Sequence, residues 1–367
     1  MKLKSDFDFT IYAFFYSTIT HLINQKKMKK TSIILGLLMF FGAISIAQSN
    51  YQILNKIQLE GNGGGDYLTV DENSSRLFVS HATVTQVVDL TKNTLLATIP
   101  DTKGVHGITI ATGLNKGFIS NGRDTSVTII DLKTLKTIDN VKVTGNNPDA
   151  ILFDPFSNKV FTFNGRSSNS TVIDAKTNKV LATIPLIGKP EFSVTDLNGY
   201  IYVNIEDKSS ICKINTGTLK VEQTWSIAPG EEPSGLAIDL KNHRLFSVCG
   251  NKMLMVINMD NGKVVTSLKI GENVDGVSFD PVLNRIYSSN GEGTLTVIQE
   301  KDANTYSVLE NFPTQKGART ISINTKNHRV YLPTAEFGET PAATADNPRP
   351  RASLKPNSFS ILEIAPK

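Results

Sequence analysis

Seven polar residues stand at one shared register along this chain: Asp66, His106, Asp149, Glu191, Ser234, Asp275 and Arg319. Where an Asp or Asn marks the following turn, each lies five positions ahead of it. Four carboxylates, an imidazole and a guanidinium in common register are the side chains of acid–base work, anion recognition and hard-cation binding. The next position is mostly small or unhindered (Tyr67, Gly107, Ala150, Phe192, Gly235, Gly276, Thr320), and each segment then turns apolar. A second set closes the following apolar segments: His81, Asn121, Asn164, Asn204 and Asn290. Arg123 and Arg166 come just after Asn-Gly turns.

Two chemistries are open to this set. As a binding rim, Arg and His would meet an anionic or sugar-like group, and Asp66, Asp149, Glu191 and Asp275 could hold a divalent cation, Ca or Mg, which prefers oxygen ligands. As an active site, His106 would act as base and Arg319 would hold the ring oxygen of a lactone. Motifs with strict spacing are missing: there is no Gly-x-Ser-x-Gly elbow, no His-Glu-x-x-His, no phosphate loop opening a helix and no Cys-x-x-Cys-His. The sequence therefore favours a non-catalytic binding scaffold for a small ligand, a glycan or a protein partner. A lactonase-like, cation-assisted hydrolase is the alternative.

What must position these residues is a repeat. Residues 158–184 hold three runs of Val, Ile, Thr and Phe separated by two polar turns, and a fourth run precedes them at 150–154. Such residues favour the pleated surface of a strand, and Asn-Gly or Lys-Thr-Asn favour turns. Four strands in about forty residues make one propeller blade. An aromatic residue marks the second strand of each copy, at Phe78, Phe118, Phe161, Tyr202, Phe246, Tyr287 and Tyr331. Seven marks mean seven units, and no 3.6-residue period supports helices. The last unit lacks an outer strand, while residues 51–60 form a strand without a blade. The expected fold is all-β: a seven-bladed β-propeller of four-stranded antiparallel blades, its ring closed by the N-terminal strand completing the last blade, which leaves no open edge. One polar side chain per blade then faces one mouth of the central channel. An insertion at 335–357, rich in Pro and Ala, leaves from the same face.

The ends bound the compartment. Met28-Lys-Lys-Thr, a charge-free run from 33 to 44 and Ser45-Ile46-Ala47 make a signal peptide at 28–47. The run is too short for a membrane span, so no span is expected once it is removed. Residues 1–27 read as an upstream extension or mis-start, and the propeller as one domain over 51–367. An exported protein, in the periplasm or outside the cell, follows. The whole chain has 38 Lys+Arg against 34 Asp+Glu. Residues 1–47 carry six Lys and two Asp, so the remainder balances at 32 of each. A neutral mature chain argues against nucleic acid as a partner, and a monomer is expected. Export would permit a bond between Cys212 and Cys249, although buried thiols are the preferred reading.

The second-strand phrases Asn158-Lys-Val-Phe-Thr-Phe-Asn, Tyr200-Ile-Tyr-Val-Asn and Asn284-Arg-Ile-Tyr-Ser-Ser-Asn carry a resemblance. So do the third-strand phrases Ser126-Val-Thr-Ile-Ile-Asp and Thr171-Val-Ile-Asp and the ending Lys355-Pro-Asn-Ser-Phe-Ser-Ile-Leu. Together they resemble the YVTN-type β-propeller repeats of secreted bacterial proteins, in the YncE-like branch. The resemblance implies a periplasmic seven-bladed propeller able to bind single-stranded DNA. Similar propellers include lactonases and the β-subunits of quinoprotein amine dehydrogenases, so it implies a fold more firmly than an activity.

Overall fold

The computed structural model describes residues 49–342, 344, 350 and 352–367. The leader expected at 28–47, the extension at 1–27 and part of the insertion, including Arg349 and Arg351, lie outside the described residues. Ser49–Lys367 forms one compact unit. No helix among the described residues is long and apolar enough to cross a membrane.

Seven four-stranded antiparallel sheets follow one another along this unit. Their innermost strands are Leu68–Asp71, Val105–Ala111, Pro148–Asp154, Pro190–Thr195, Pro233–Asp239, Val274–Asp280 and Ser322–Asn324, defining blades 1 to 7. Each innermost strand packs on that of the next blade, and blade 7 packs on blade 1, so the sheets close into a ring. In blade 7 the order from outside inwards is Tyr51–Gln58, Ser360–Pro366, Arg329–Thr334, Ser322–Asn324. The first strand of the chain thus supplies the last blade's outer edge, running from Tyr51 opposite Pro366 to Gln58 opposite Ser360. Tyr51 anchors it in blade 6: its hydroxyl lies 3.1 Å from that of Tyr287 and accepts from Arg285 Nη1 at 2.7 Å.

The seven marker aromatics are all buried. They sit between successive blades because alternate residues of a strand face opposite sides of its sheet, and both sides of a blade are covered. Cys212 and Cys249 are free and buried in apolar clusters. The insertion returns on itself through a bridge between Phe337 and Leu354. Its Phe337 ring lies over Gly317, where a Cβ would come within 2.7 Å of it, and Leu354 lies against Gly64.

Candidate functional site

All seven residues of the common register line a single cavity of about 260 Å³ at one mouth of the ring. Two local devices aim them there. In blades 2 to 6 the pairing of first and second strands slips at the rim, for example between Pro148 and Ile151, Pro190 and Ser193, and Pro233 and Leu236. The same slip brackets His106 in blade 2 and Asp275 in blade 6. A bulge kinks a strand and re-aims a side chain that regular pleating would point elsewhere. The rim backbone is then pinned by the neighbouring blade. Ser120 donates to the Asp149 carbonyl at 2.5 Å, Asn204 Nδ2 to that of Ser234 at 2.9 Å, and Ser289 to that of Arg319 at 2.6 Å. Thr320 donates to the Asp66 carbonyl at 2.5 Å, carrying the series across the ring closure.

The cavity is an acidic well crossed by three basic side chains. His106 donates from Nδ1 to Asp66 Oδ2 at 2.7 Å, and the same nitrogen lies 3.6 Å from Asp149. Arg319 reaches Asp275 at 3.1 Å and Asp66 at 3.8 Å. Lys189 bridges Glu191, at 2.7 Å, and Glu206. Burial pushes the Asp149 carboxyl up to about 6, with the Asp66 charge adding to it. Burial and then the Asp149 charge push Glu191 up to about 8. Asp275 rises to about 7, again chiefly through burial, against the pull of Arg319. Burial alone would depress the His106 pKa; the Asp66 hydrogen bond and the Asp149 charge outweigh it, so the imidazole is more basic than usual.

One aromatic ring, that of Tyr67, lines the well. Tyr67 from blade 1 and Phe192 from blade 4 meet with centroids 5.2 Å apart. They hold equivalent positions on blades that face each other across a seven-fold ring, so the contact crosses the channel. Gly107, Gly235 and Gly276 hold the same position in other blades and let neighbouring inner strands approach closely. A Cβ at Gly276 would come within 2.9 Å of the backbone at Thr320 and Ile321, and one at Gly235 within 2.9 Å of the Asp275 carbonyl.

The second set divides. Arg123 and Arg166 line a shallower depression of about 320 Å³ that shares Asp66, His106 and Arg319 with the well. The Arg123 stem lies along Gly104, where a Cβ would come within 2.6 Å of it. The other five residues are buried and do not line the well. Asn121 Nδ2 donates to Ser126 and Thr128, Asn164 Nδ2 to Asn169 and Thr171, and Asn290 Nδ2 to Thr294 and Thr296. Those amides clamp the hairpin that they begin. Asn204 instead bonds the blade 5 carbonyls of Ser234 and Gly235. His81 stacks on Phe359 at 4.2 Å and bonds Gln86 at 2.8 Å, and burial pulls its pKa down. A chain that turns from strand to hairpin leaves backbone and hydroxyl groups to satisfy, and a short amide does that from inside.

Three residues of the well escaped the sequence reading. Lys189 precedes the strand of blade 4, Glu206 opens the short 3-10 turn Glu206–Lys208 in the same blade, and Tyr67 turned inward rather than serving as an unhindered spacer. A signal existed for Glu206, since the Asn204-Ile-Glu-Asp-Lys hairpin points toward the rim. As for a cation, Asp66, His106 and Asp149 each offer an atom within 4.8 Å of the others. That set includes a nitrogen, which Ca and Mg do not favour. A third depression of about 360 Å³ adjoins Arg319 on the side of the insertion and is lined by Phe337, Leu354 and Phe359.

No family model matches the chain, and no curated protein matches its sequence. Its shape is widely shared, with 1853 chains of solved structures resembling it, so likeness alone selects no activity. One is the hydrazine synthase of Kuenenia stuttgartiensis, 15% identical, with a TM-score of 0.64 over 74% of this chain and 92% of that one. At that identity the likeness establishes the fold: this chain is a seven-bladed β-propeller.

Proposed function

We propose that this protein is an exported propeller of the YVTN-repeat, YncE-like kind that binds a small ligand, without catalysis, at the polar mouth of its ring. The observation that carries this reading is convergence: seven blades each give one polar residue to the same cavity. The domain plan is a signal peptide at 28–47 followed by one propeller, and N-terminal sequencing of the secreted form should find a start near residue 48. A mature chain beginning near Met1 would sink the export reading.

A hydrolase is the second reading, favoured by one feature. His106 is oriented by a carboxylate at Nδ1, as a catalytic base is. Against it, the Asp66 hydrogen bond and the Asp149 charge favour the protonated imidazole, the form that cannot take a proton. The discriminating experiment incubates purified protein with a panel of lactones, with and without chelator. No turnover, together with ligand-induced thermal stabilisation that disappears in Arg319→Ala, supports the binder. Turnover that disappears in His106→Ala establishes the hydrolase. Single-stranded DNA, implied by the resemblance, would have to bring its phosphates to a mouth lined by five carboxylates, and the binding reading does not include it.

A further inference from the structure

We propose that the well and its arginine lip form one site for a small zwitterion, with the ammonium group seated against Asp149 and the Tyr67 hydroxyl and the anionic group on Arg123 and Arg166. This rests on the reading of the mouth as a binding site and names the class of ligand.

The charges within the well are unequal. Asp66, Asp149, Glu191, Glu206 and Asp275 face only His106, Lys189 and Arg319. Lys189 is spent on Glu191 and Glu206, Arg319 chiefly on Asp275, and His106 on Asp66. Asp149 is left over: no hydrogen bond reaches its carboxylate among the described residues, and its nearest cation is His106 Nδ1 at 3.6 Å. A second, independent observation lies in the lining of the well. Tyr67 is only 7% exposed and lines the same cavity, yet its hydroxyl has no hydrogen-bond partner among the described residues. That hydroxyl is not sealed in the core but opens into the cavity, where a ligand donor can reach it. An ammonium group donates only, and the two unsatisfied groups, a carboxylate and a phenol oxygen, both accept.

The lip supplies the opposite charge. The Arg123 and Arg166 guanidinium groups form no ion pair or hydrogen bond among the described residues, and both residues are exposed beside the well. Their depression and the well share Asp66, His106 and Arg319, so one short molecule can span both. Guanidinium groups are suited to carboxylate or phosphate oxygens. A bare divalent ion on Asp66, His106 and Asp149 would satisfy Asp149 but would leave the Tyr67 hydroxyl and the two arginines without a role. The raised carboxylates Asp149, Asp275 and Glu191 hold protons near neutrality that an incoming ammonium would displace.

The test is calorimetric titration of the full chain at pH 7 with β-alanine, phosphoethanolamine, propylamine, propionate and cellobiose, and with CaCl₂ and ZnCl₂ after chelator treatment. The His106 ring resonance serves as a local reporter. At least one zwitterion should bind about tenfold tighter than propylamine or propionate, with proton release seen as a buffer-dependent heat. Tyr67→Phe keeps the ring against Phe192 and removes one oxygen; it should weaken the zwitterion about tenfold, as should Asp149→Asn. Arg166→Ala should weaken the zwitterion alone and leave propylamine unchanged. Propylamine binding as well as either zwitterion would overturn the proposal. So would tight, stoichiometric Ca or Zn binding that excludes the zwitterions, or cellobiose binding that depends on Asp149. In those cases the mouth remains a binding site with another ligand. If no probe binds and the His106 resonance never moves, both this proposal and the binding reading fall.

Discussion

Two rings of carboxylates encircle this molecule, one at each end of its inner strands, and they are built on opposite principles. At the turn end, Asp154 accepts from the Ser157 N–H and hydroxyl at 3.0 and 2.6 Å and from Thr195 of the next blade at 2.8 Å. Asp280 accepts from the N–H groups of Val282 and Leu283 and meets His328 of blade 7 at 2.8 Å. Asp71 is buried too, yet its bonds to Ser74 and Arg76 overcome burial and hold its carboxyl below the usual range. At the mouth, no backbone N–H reaches Asp66, Asp149, Glu191 or Asp275 among the described residues. Asp66 and Asp275 are met by side chains of neighbouring blades and Glu191 by Lys189 of its own blade, and three of the four are pushed up toward neutrality. Carboxylates bonded to their own turn hold the fold. Carboxylates crowded together without backbone donors cost stability, a pattern concentrated at functional sites.

Substitutions can break this contrast. The largest effect is expected at the turn end: Asp154→Ala should cost about 3 kcal/mol in urea unfolding, because three donors in two blades lose one acceptor. A cost near zero would remove the structural half of the comparison. Next comes the pH dependence of the intact protein. Carboxyls with raised folded pKa values favour folding at low pH, and that contribution is lost as pH rises from the unfolded value through the folded one; raised His106 acts in the same direction. Urea stability should therefore fall by roughly 2 kcal/mol between pH 5 and pH 8. A rise over that window would show the well to be fully compensated. Asp149→Asn sharpens the point, because it removes the carboxylate with the fewest partners. It should gain about 1 kcal/mol over the parent at pH 8 and nothing at pH 4. The smallest effect belongs to neither ring: Lys142→Ala, which removes an exposed pair with Asp124, should change stability by less than about 0.5 kcal/mol.

Much of this was legible in the residues. Marker aromatics recurring every 40 to 44 positions dictate the blades, because a strand of fixed length and a short turn leave little room to vary. The orphan strand at one end and the missing strand at the other dictate the closure. The offset that led from each turn back to the rim found seven of the ten residues that line the well, since an inner strand fixes the distance between its two ends. The offset could not tell which side chains would meet. Tyr67 and Phe192 touch across three blades of sequence, and Lys189 reaches two carboxylates by virtue of a bulge and a 3-10 turn. Neither feature has a periodicity to detect. Asn121, Asn164, Asn204 and Asn290 misled for a related reason. Polar residues at hairpin starts look solvated in a sequence, whereas these fold inward to serve the hairpin or the next blade.

The strand Tyr51–Gln58 has a consequence for the order of events during synthesis. It is the first propeller strand made, and its partner Ser360–Pro366 is the last. At roughly 5–20 residues per second, some 15 to 60 s separate them on the ribosome. Until then six complete blades can stack on one another while the ring stays open and the first strand waits with a bare edge. The native molecule thus has its longest loop to close at the final step, and a chain cut short by even one strand at its C-terminus would never close. The seam acts as a completeness check written into the topology.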